Sequence, residues 1–248
     1  MKFSIIIPCY NEEKNIDNLI QKIRPLQEKC KEKYKGTGDL EYILVENGSL
    51  DNSKEYFKKN IENKFQDIKV VYVEKNKGYG FGIAQGIKAS LGEYIGWIHA
   101  DMQIAPLALE QFFDYIIDYK TNSKGDKKLF LKGLRKNRSF IDYFFTYGQS
   151  LFNTILFKSL LFDIGAIPVV FDKSLIKDVE ALPNDFSLEL YVYKEAKRQK
   201  FLCRRFSVNL AKRKKGASSW NFGWKSKIKQ SIRIFKNSLK IKRGEKVL

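Results

Sequence analysis

Up to Ile98 the chain alternates short apolar runs with polar clusters and then with stretches of helical spacing, and this alternation constrains the fold more than any other feature. The runs are Ser4-Ile5-Ile6-Ile7 (ended by Pro8), Tyr42-Ile43-Leu44-Val45, Val70-Val71-Tyr72-Val73 and Tyr94-Ile95-Gly96-Trp97-Ile98. Brief, nearly continuous apolar runs of this kind read as strands buried on both faces. Between them, residues 12–33 place Ile16, Leu19, Ile20, Ile23 and Leu26 at helical spacing, with Asn11 as the expected N-cap. A second helix is expected through Tyr56 and Phe57, and a third near 82–90. Repeated β-α units of this length predict an α/β fold, with a mostly parallel central sheet and helices on both faces. Ligands of such sheets bind beyond the carboxyl ends of the strands. There the sequence places four polar clusters: PCYNEE, ENGS, NKGYG and HADMQ.

The second half is less regular. Lys128 to Gly133 reads as a strand and 142–161 as an amphipathic aromatic helix. Ser187 to Lys197 reads as a helix with Leu188, Tyr191, Val192 and Ala196 turned inward. From 212 onward the chain is basic, with Trp220, Phe222 and Trp224 among lysines. Domain boundaries follow at 1–215 for a catalytic domain and 216–248 for a basic-aromatic helical tail. The three cysteines, Cys9, Cys30 and Cys203, form no close pair, which fits a reducing compartment better than a disulfide framework. The opening MKFSIIIP is too short for the apolar core of a signal peptide, and no uncharged apolar run is as long as a membrane span. The net charge of +18 suits nucleic acid, an anionic membrane surface or phosphorylated substrates, and it also suits a plain Lys-rich compositional bias.

Two motifs bear on chemistry. Gly78, Gly80, Gly82 and Gly86 follow a strand, but their spacing is neither that of a dinucleotide fingerprint nor that of a P-loop. A tight turn with close helix packing accounts for them equally well. Asp101 follows the sole histidine, His99, by two residues at a strand end, where a carboxylate suits a hard divalent cation completed by phosphate oxygens and water.

Taken in order, I-I-I-P-x-Y-N-E-E, V-E-N-G-S-x-D-N-S, N-K-G-x-G, A-D-M-Q and R-K-K-G-x-S-S resemble family 2 glycosyltransferases, and within them the dolichol- and polyprenyl-phosphate sugar synthases. The resemblance runs from about residue 3 to 220. It implies the GT-A fold, a nucleotide-sugar donor, Mg²⁺ or Mn²⁺, and inversion at the anomeric carbon. It also implies that Pro8, Tyr10 and Glu12 line a nucleoside pocket, with Val45 and Asn47 at the base and ribose. Ala100 and Asp101 would lie against the diphosphate, Asp101 and Gln103 would hold the metal, and Arg135 and Arg213 would clamp phosphates. Glu189 stands where inverting relatives carry an acid near the acceptor, as a general base or else as a surface residue of its helix. The chain departs from the family pattern at His99 and Asn47, where Asp is usual, and at Ser219, where the polyprenyl-phosphate synthases tend to have Lys. His99 is accordingly expected beside the metal site rather than as a ligand.

The expected activity is transfer of a sugar to a polyprenyl phosphate or a lipid-linked glycan, by a cytoplasmic protein peripheral to the cytoplasmic face of the membrane. Attachment would come from the basic-aromatic tail and the aromatic helix. The alternatives are a degenerate protein that binds nucleotide sugars without chemistry and a nucleic-acid-binding protein, the latter without any recognised motif.

Overall fold

The computed structural model describes residues 1–122, 126–137, 140–211 and 224–247, with residues 224–230 described by their backbone alone. Strands β1 (Lys2–Cys9), β2 (Asp39–Asn47), β3 (Ile68–Val73), β4 (Tyr94–Trp97), β5 (Leu129–Lys136), β6 (Val169–Asp172) and β7 (Leu202–Asn209) form one sheet in the order β3-β2-β1-β4-β6-β5-β7. β6 runs antiparallel to both β4 and β5, while β1–β2, β1–β4, β2–β3 and β5–β7 are parallel. Every strand except β6 therefore points its carboxyl end at the same edge. The sheet is mostly parallel, as the repeated units require.

Helices cover both faces: α1 (Ile16–Lys33), α2 (Ser53–Asn60), α3 (Tyr79–Ala89), α4 (Glu110–Asn122), α5 (Phe140–Phe157), α6 (Leu188–Arg198) and α7 (Trp224–Arg243). Strand alternation decides which face each one meets. Phe3 stacks on Phe113 of α4, and Tyr42 donates its hydroxyl to the Ile23 carbonyl of α1, so these two helices share a face. On the other face a side chain added at Gly86 of α3 would collide with Ile6, and Trp97, Phe171, Phe130 and Tyr193 of α6 form a run of packed rings. Both layers are closed by fully buried apolar side chains, Phe3, Tyr42, Trp97, Phe112 and Phe130 among them.

Several expectations change in detail. Asn11 does not cap α1. It has φ +54, and its side-chain oxygen accepts from the Leu50 amide, which ties the β1 turn to the β2 turn, while a short 3₁₀ turn at Glu13–Asn15 leads into the helix. Pro25 sits inside α1 without ending it. The third helix begins earlier than expected, at Tyr79, and the aromatic helix is α5, Phe140–Phe157. Strands β6 and β7 were not anticipated: β6 has four residues, and β7 carries Arg204 and Arg205 in mid-strand. The basic C-terminal segment is docked on the core. Asn237 is buried and donates to Asp185 and Ser187, Phe235 meets Phe152 of α5 with ring centres 4.6 Å apart, and the Val247 carbonyl accepts from the Asn184 amide. Among the described residues no helix is long and apolar enough to cross a membrane.

The glycine cluster is accounted for by close approach. Gly78 has φ +117, and a Cβ there would lie 2.3 Å from the Asn184 carbonyl oxygen; one at Gly80 would lie 2.1 Å from that of Pro183. Alanine at a helical glycine gains ~1 kcal/mol of helix propensity. At Gly80 the obstacle is main chain, which cannot rotate aside, and overpacking of that kind costs roughly 1–3 kcal/mol. Gly80→Ala is expected to lower stability by up to about 2 kcal/mol net, read as a drop in urea midpoint with an unchanged slope.

Candidate active site

The carboxyl edge of β1, β2 and β4 gathers the motif residues. In the β1–β2 register Pro8 lies beside Val45 and Cys9 beside Glu46. The two following turns are laced together: the amides of Asn11, Glu12 and Glu13 donate to Ser49, Ser53 and Asp51 at 3.0, 3.0 and 3.2 Å. YNEE and ENGSLDNS thus form one rigid rim. Tyr10 stands out from it at 37 % exposure, an open ring at the mouth of the site. Glu12 is partly engaged, its carboxylate accepting from Asn15 at 2.6 Å. Val45 is fully buried, with its side chain packed under Gly86, so it supports the pocket from below.

Asn47 closes the floor. Its amide nitrogen donates to the Gly78 carbonyl at 3.1 Å, and a Cβ at Gly82 would strike the Asn47 side chain at 2.8 Å. Among the described residues the buried side-chain oxygen of Asn47 has no hydrogen-bond partner, and neither has one buried carboxylate oxygen of Glu46 beside it. The other Glu46 oxygen accepts from the Ser49 amide at 2.7 Å. Buried polar atoms without partners are uncommon because each costs about 1–3 kcal/mol, and a ligand's N–H or O–H groups would satisfy these two.

At the end of β4, Met102 adopts φ +53, and Asp101 is half-buried, one of its oxygens accepting from the Gln103 amide at 3.2 Å. Ala100 is buried. Gln103 is joined to Ala211, the last described residue before 212, by a main-chain bond of 2.8 Å and by its own amide nitrogen at 3.2 Å. The described residues contain no group of three or more His, Cys, Asp or Glu side chains placed to hold a metal. One strand-end carboxylate with an amide oxygen nearby suits a hard cation that takes its other ligands from a diphosphate and water. His99 lies in an aromatic group, 5.1 Å from the Tyr79 ring and 6.5 Å from that of Phe186.

Glu189 is 3 % exposed, which removes the surface alternative. One oxygen accepts from Trp97 Nε1 at 2.6 Å and from the Tyr79 hydroxyl at 3.3 Å, and the other accepts from Lys132 Nζ at 3.1 Å. Lys132 also donates to the Ala166 carbonyl at 2.6 Å. Burial pulls the Lys132 pKa down and Glu189 opposes that; burial and Glu189 together push the Tyr79 hydroxyl well up. Arg135, at the carboxyl end of β5, is clasped by Asp163: Nε donates at 3.1 Å, Nη2 makes a further short bond, and the Arg135 amide donates to the second oxygen at 3.2 Å. Arg205 reaches the Gly133 and Phe162 carbonyls beneath it. Arg213 lies outside the described residues.

The edge therefore brings together Pro8, Tyr10, Glu12, Asn47, Ala100, Asp101 and Gln103, with Glu189 in the layer behind. Lys132 and Asp163 were not singled out from the sequence. Each is a lone charge in an apolar run, LFLKGL and LLFDIGAI, and a charge so placed needs a buried partner.

Comparison with known proteins bears on the family and the fold. Undecaprenyl-phosphate 4-deoxy-4-formamido-L-arabinose transferase of Pectobacterium carotovorum is 29 % identical over 112 residues, covering 45 % of this chain and 32 % of that protein. Dolichyl-phosphate beta-glucosyltransferase of Dictyostelium discoideum is 30 % identical over 100 residues, covering 40 % and 30 %. The chain thus spans about a third of the length of these curated relatives. The crystal structure of glucosyl-3-phosphoglycerate synthase from Mycobacterium tuberculosis, in complex with Mn²⁺, UDP and glucosyl-3-phosphoglycerate, superposes with a TM-score of 0.67 at 16 % identity, covering 98 % of this chain and 80 % of that one. That likeness carries the fold, which is GT-A. The model of Glycosyl transferase family 2 matches residues 4–175, and the chain belongs to that family.

Proposed function

We propose that the chain is an inverting, metal-assisted glycosyltransferase that moves a sugar from a nucleotide-sugar donor to a polyprenyl phosphate or a lipid-linked glycan in cell-surface glycan synthesis. The observation that carries the donor site is the pairing, along one sheet edge, of the half-buried Asp101 with the unpartnered buried oxygen of Asn47. The acceptor class is supported by the two relatives named for lipid phosphates, and a divalent metal by the Mn²⁺ in the superposed synthase. Three free cysteines agree with work at the cytoplasmic face.

In this reading the nucleoside rests between Tyr10 and the β1–β2 rim, and Asn47 and Glu46 accept hydrogen bonds from it. Asn47 offers an amide where relatives offer a carboxylate, so it both accepts and donates, and the base it prefers follows from that. Ala100 and Asp101 border the diphosphate. A divalent cation held by Asp101 and Gln103 would neutralise charge that builds on the leaving diphosphate. Arg135 and Arg213 add fixed positive charge for the same oxygens. The acceptor oxygen attacks the anomeric carbon opposite the leaving group, forming the new C–O bond as the sugar–phosphate bond breaks. A phosphate acceptor arrives ionised and needs no base. For a phosphate acceptor we therefore assign Glu189 a positioning role in place of the general-base role: it holds Trp97, Tyr79 and Lys132 behind the site. A glycan hydroxyl would have to pass its proton to a base, and Glu189 would then be the candidate.

Turnover with UDP-, GDP-, CMP- and dTDP-sugars, Mn²⁺ and a short-chain polyprenyl phosphate tests the reading. Sugar transfer from one donor class is expected, lost on chelation; binding without turnover for every donor would favour the degenerate alternative. Asp101→Ala is expected to lower metal-dependent turnover by roughly 100-fold. Because Asp101 is partly exposed, its urea midpoint should stay within error of the parent.

Glu189→Gln separates its two roles. Removing one partner of a buried pair costs about 3–5 kcal/mol, so a large fall in thermal midpoint is expected, together with an unchanged shape of the kcat/KM–pH profile. Loss of the acidic limb of that profile at constant stability would instead make Glu189 the base.

A further inference from the structure

Helix α5 is amphipathic in the wrong sense for a surface helix. Its buried positions are Thr146, Ser150 and Asn153, whereas Phe140, Phe144, Tyr147, Leu151 and Ile155 are 57–86 % exposed. Steps of four, three, four and four residues put these five on one face, an apolar stripe ~22 Å long. Leu160, just past the helix, extends it at 71 % exposure. Scattered exposed apolar residues need no explanation, but a contiguous stripe over a polar inner face marks an interaction surface. The inner face is not a folding accident: the Ser150 hydroxyl accepts from the Asp163 amide at 3.1 Å, and Asp163 clasps Arg135, so the helix is fixed to the edge of the candidate site.

Charge identifies the occupant. α7 packs on α5 through Phe235 and Phe152, and from Trp224 to Arg243 it holds eight basic residues and no acid. Where the ends of α5, α6 and α7 meet, a cavity of about 410 Å³ is lined by Lys158, Lys194, Lys197, Arg198 and Lys242. Among the described residues only Lys194 and Arg198 of these five are in ion pairs, both with Glu195; Lys197 and Lys242 lie over the rings of Tyr193 and Phe157. Part of this charge complements the carbonyl ends of the three helices, whose combined dipole amounts to between one and two negative charges. Five cations against one carboxylate and that dipole leave the cavity positive. A second copy of the chain would bring another +18 against this region, so charge opposes self-association here. A surface that is apolar within and anionic at its rim matches both features.

We propose that the outer face of α5 inserts into an anionic lipid bilayer, with lipid phosphates gathered by the cation-lined cavity at the helix end. Aromatic and aliphatic side chains enter the acyl boundary while the basic groups stay at headgroup level. The proposal deepens the lipid-acceptor reading and rests on it for its purpose, since it sets the Arg135 edge beside the membrane. Docking itself needs neither donor nor acceptor.

Flotation of the full chain with phosphatidylcholine vesicles, and with vesicles containing 30 % phosphatidylglycerol (roughly a physiological anionic share), tests it. Binding to the anionic vesicles, weakened by salt, is expected. The double variant Phe144→Glu/Leu151→Glu, both positions exposed, should lose at least tenfold in partition at an unchanged thermal midpoint, and Lys158→Glu/Lys242→Glu should lose the preference for anionic lipid. Undiminished binding by the α5 variant, or no binding at low salt, overturns the proposal. So does a concentration-dependent dimer by light scattering that the α5 variant abolishes, which would make a second copy the occupant. Transfer to a water-soluble short-chain acceptor without vesicles reads the chemistry separately, so either result can fail alone.

Discussion

The carboxylate of Glu189 ties together four parts of the molecule that the chain brings in separately. Trp97 comes from the end of β4, Tyr79 from the first turn of α3, Lys132 from the middle of β5, and Glu189 itself from the first turn of α6. Each contact is made on the same face of the sheet, over the Trp97–Phe171–Phe130–Tyr193 rings. A buried ion pair contributes little net stability, because desolvation offsets most of the Coulomb attraction. What it supplies is geometry. Directional bonds fix the angle of Tyr79, which stacks on Phe186 and meets His99 at a tilt, and His99 stands two residues before Asp101.

Much of the N-terminal half was legible because its signals are local. Apolar runs of four or five residues between helical periods can be satisfied only by buried parallel strands, and β1 to β4 lie where those runs predict. The polar clusters fall at the carboxyl edge for the same topological reason. Other features were hidden because they depend on partners distant in sequence. Asn11 has the composition of an N-cap, but its oxygen is claimed by the Leu50 amide in a different unit. Glu189 follows the spacing of a half-exposed helix, and its burial is made tolerable by Lys132, 57 residues earlier, together with Trp97 and Tyr79. β7 was masked by Arg205, whose guanidinium is absorbed by the Gly133 and Phe162 carbonyls.

The C-terminal segment shows the limit of composition. A run of lysines with interspersed aromatics reads as an appended tail, yet Asn237, Ser238, Ile241 and Val247 are buried against the catalytic body. The basic character is carried by the outer positions of a helix whose inner positions belong to the core. Helix α5 reverses that arrangement, with polar residues inside and apolar ones outside. Sequence periodicity reports that a helix has two unlike faces and says nothing about which one turns inward.

His99 and Asn47 bear on how the site handles charge. Both replace carboxylates that family resemblance leads one to expect, which leaves Asp101 as the single strand-end acid in HADMQ. A site with fewer fixed negative charges holds a free divalent cation weakly, since a hard cation needs several oxygen ligands. The same loss reduces repulsion toward an incoming diphosphate. In the proposed reading cation and donor would depend on each other: Asp101 would hold a cation whose charge offsets that of the diphosphate, and the diphosphate would supply further oxygen ligands. Arg135 is already half neutralised by Asp163, so it serves as an oriented donor more than as a free charge. In that reading, binding of cation and donor at this edge would be cooperative.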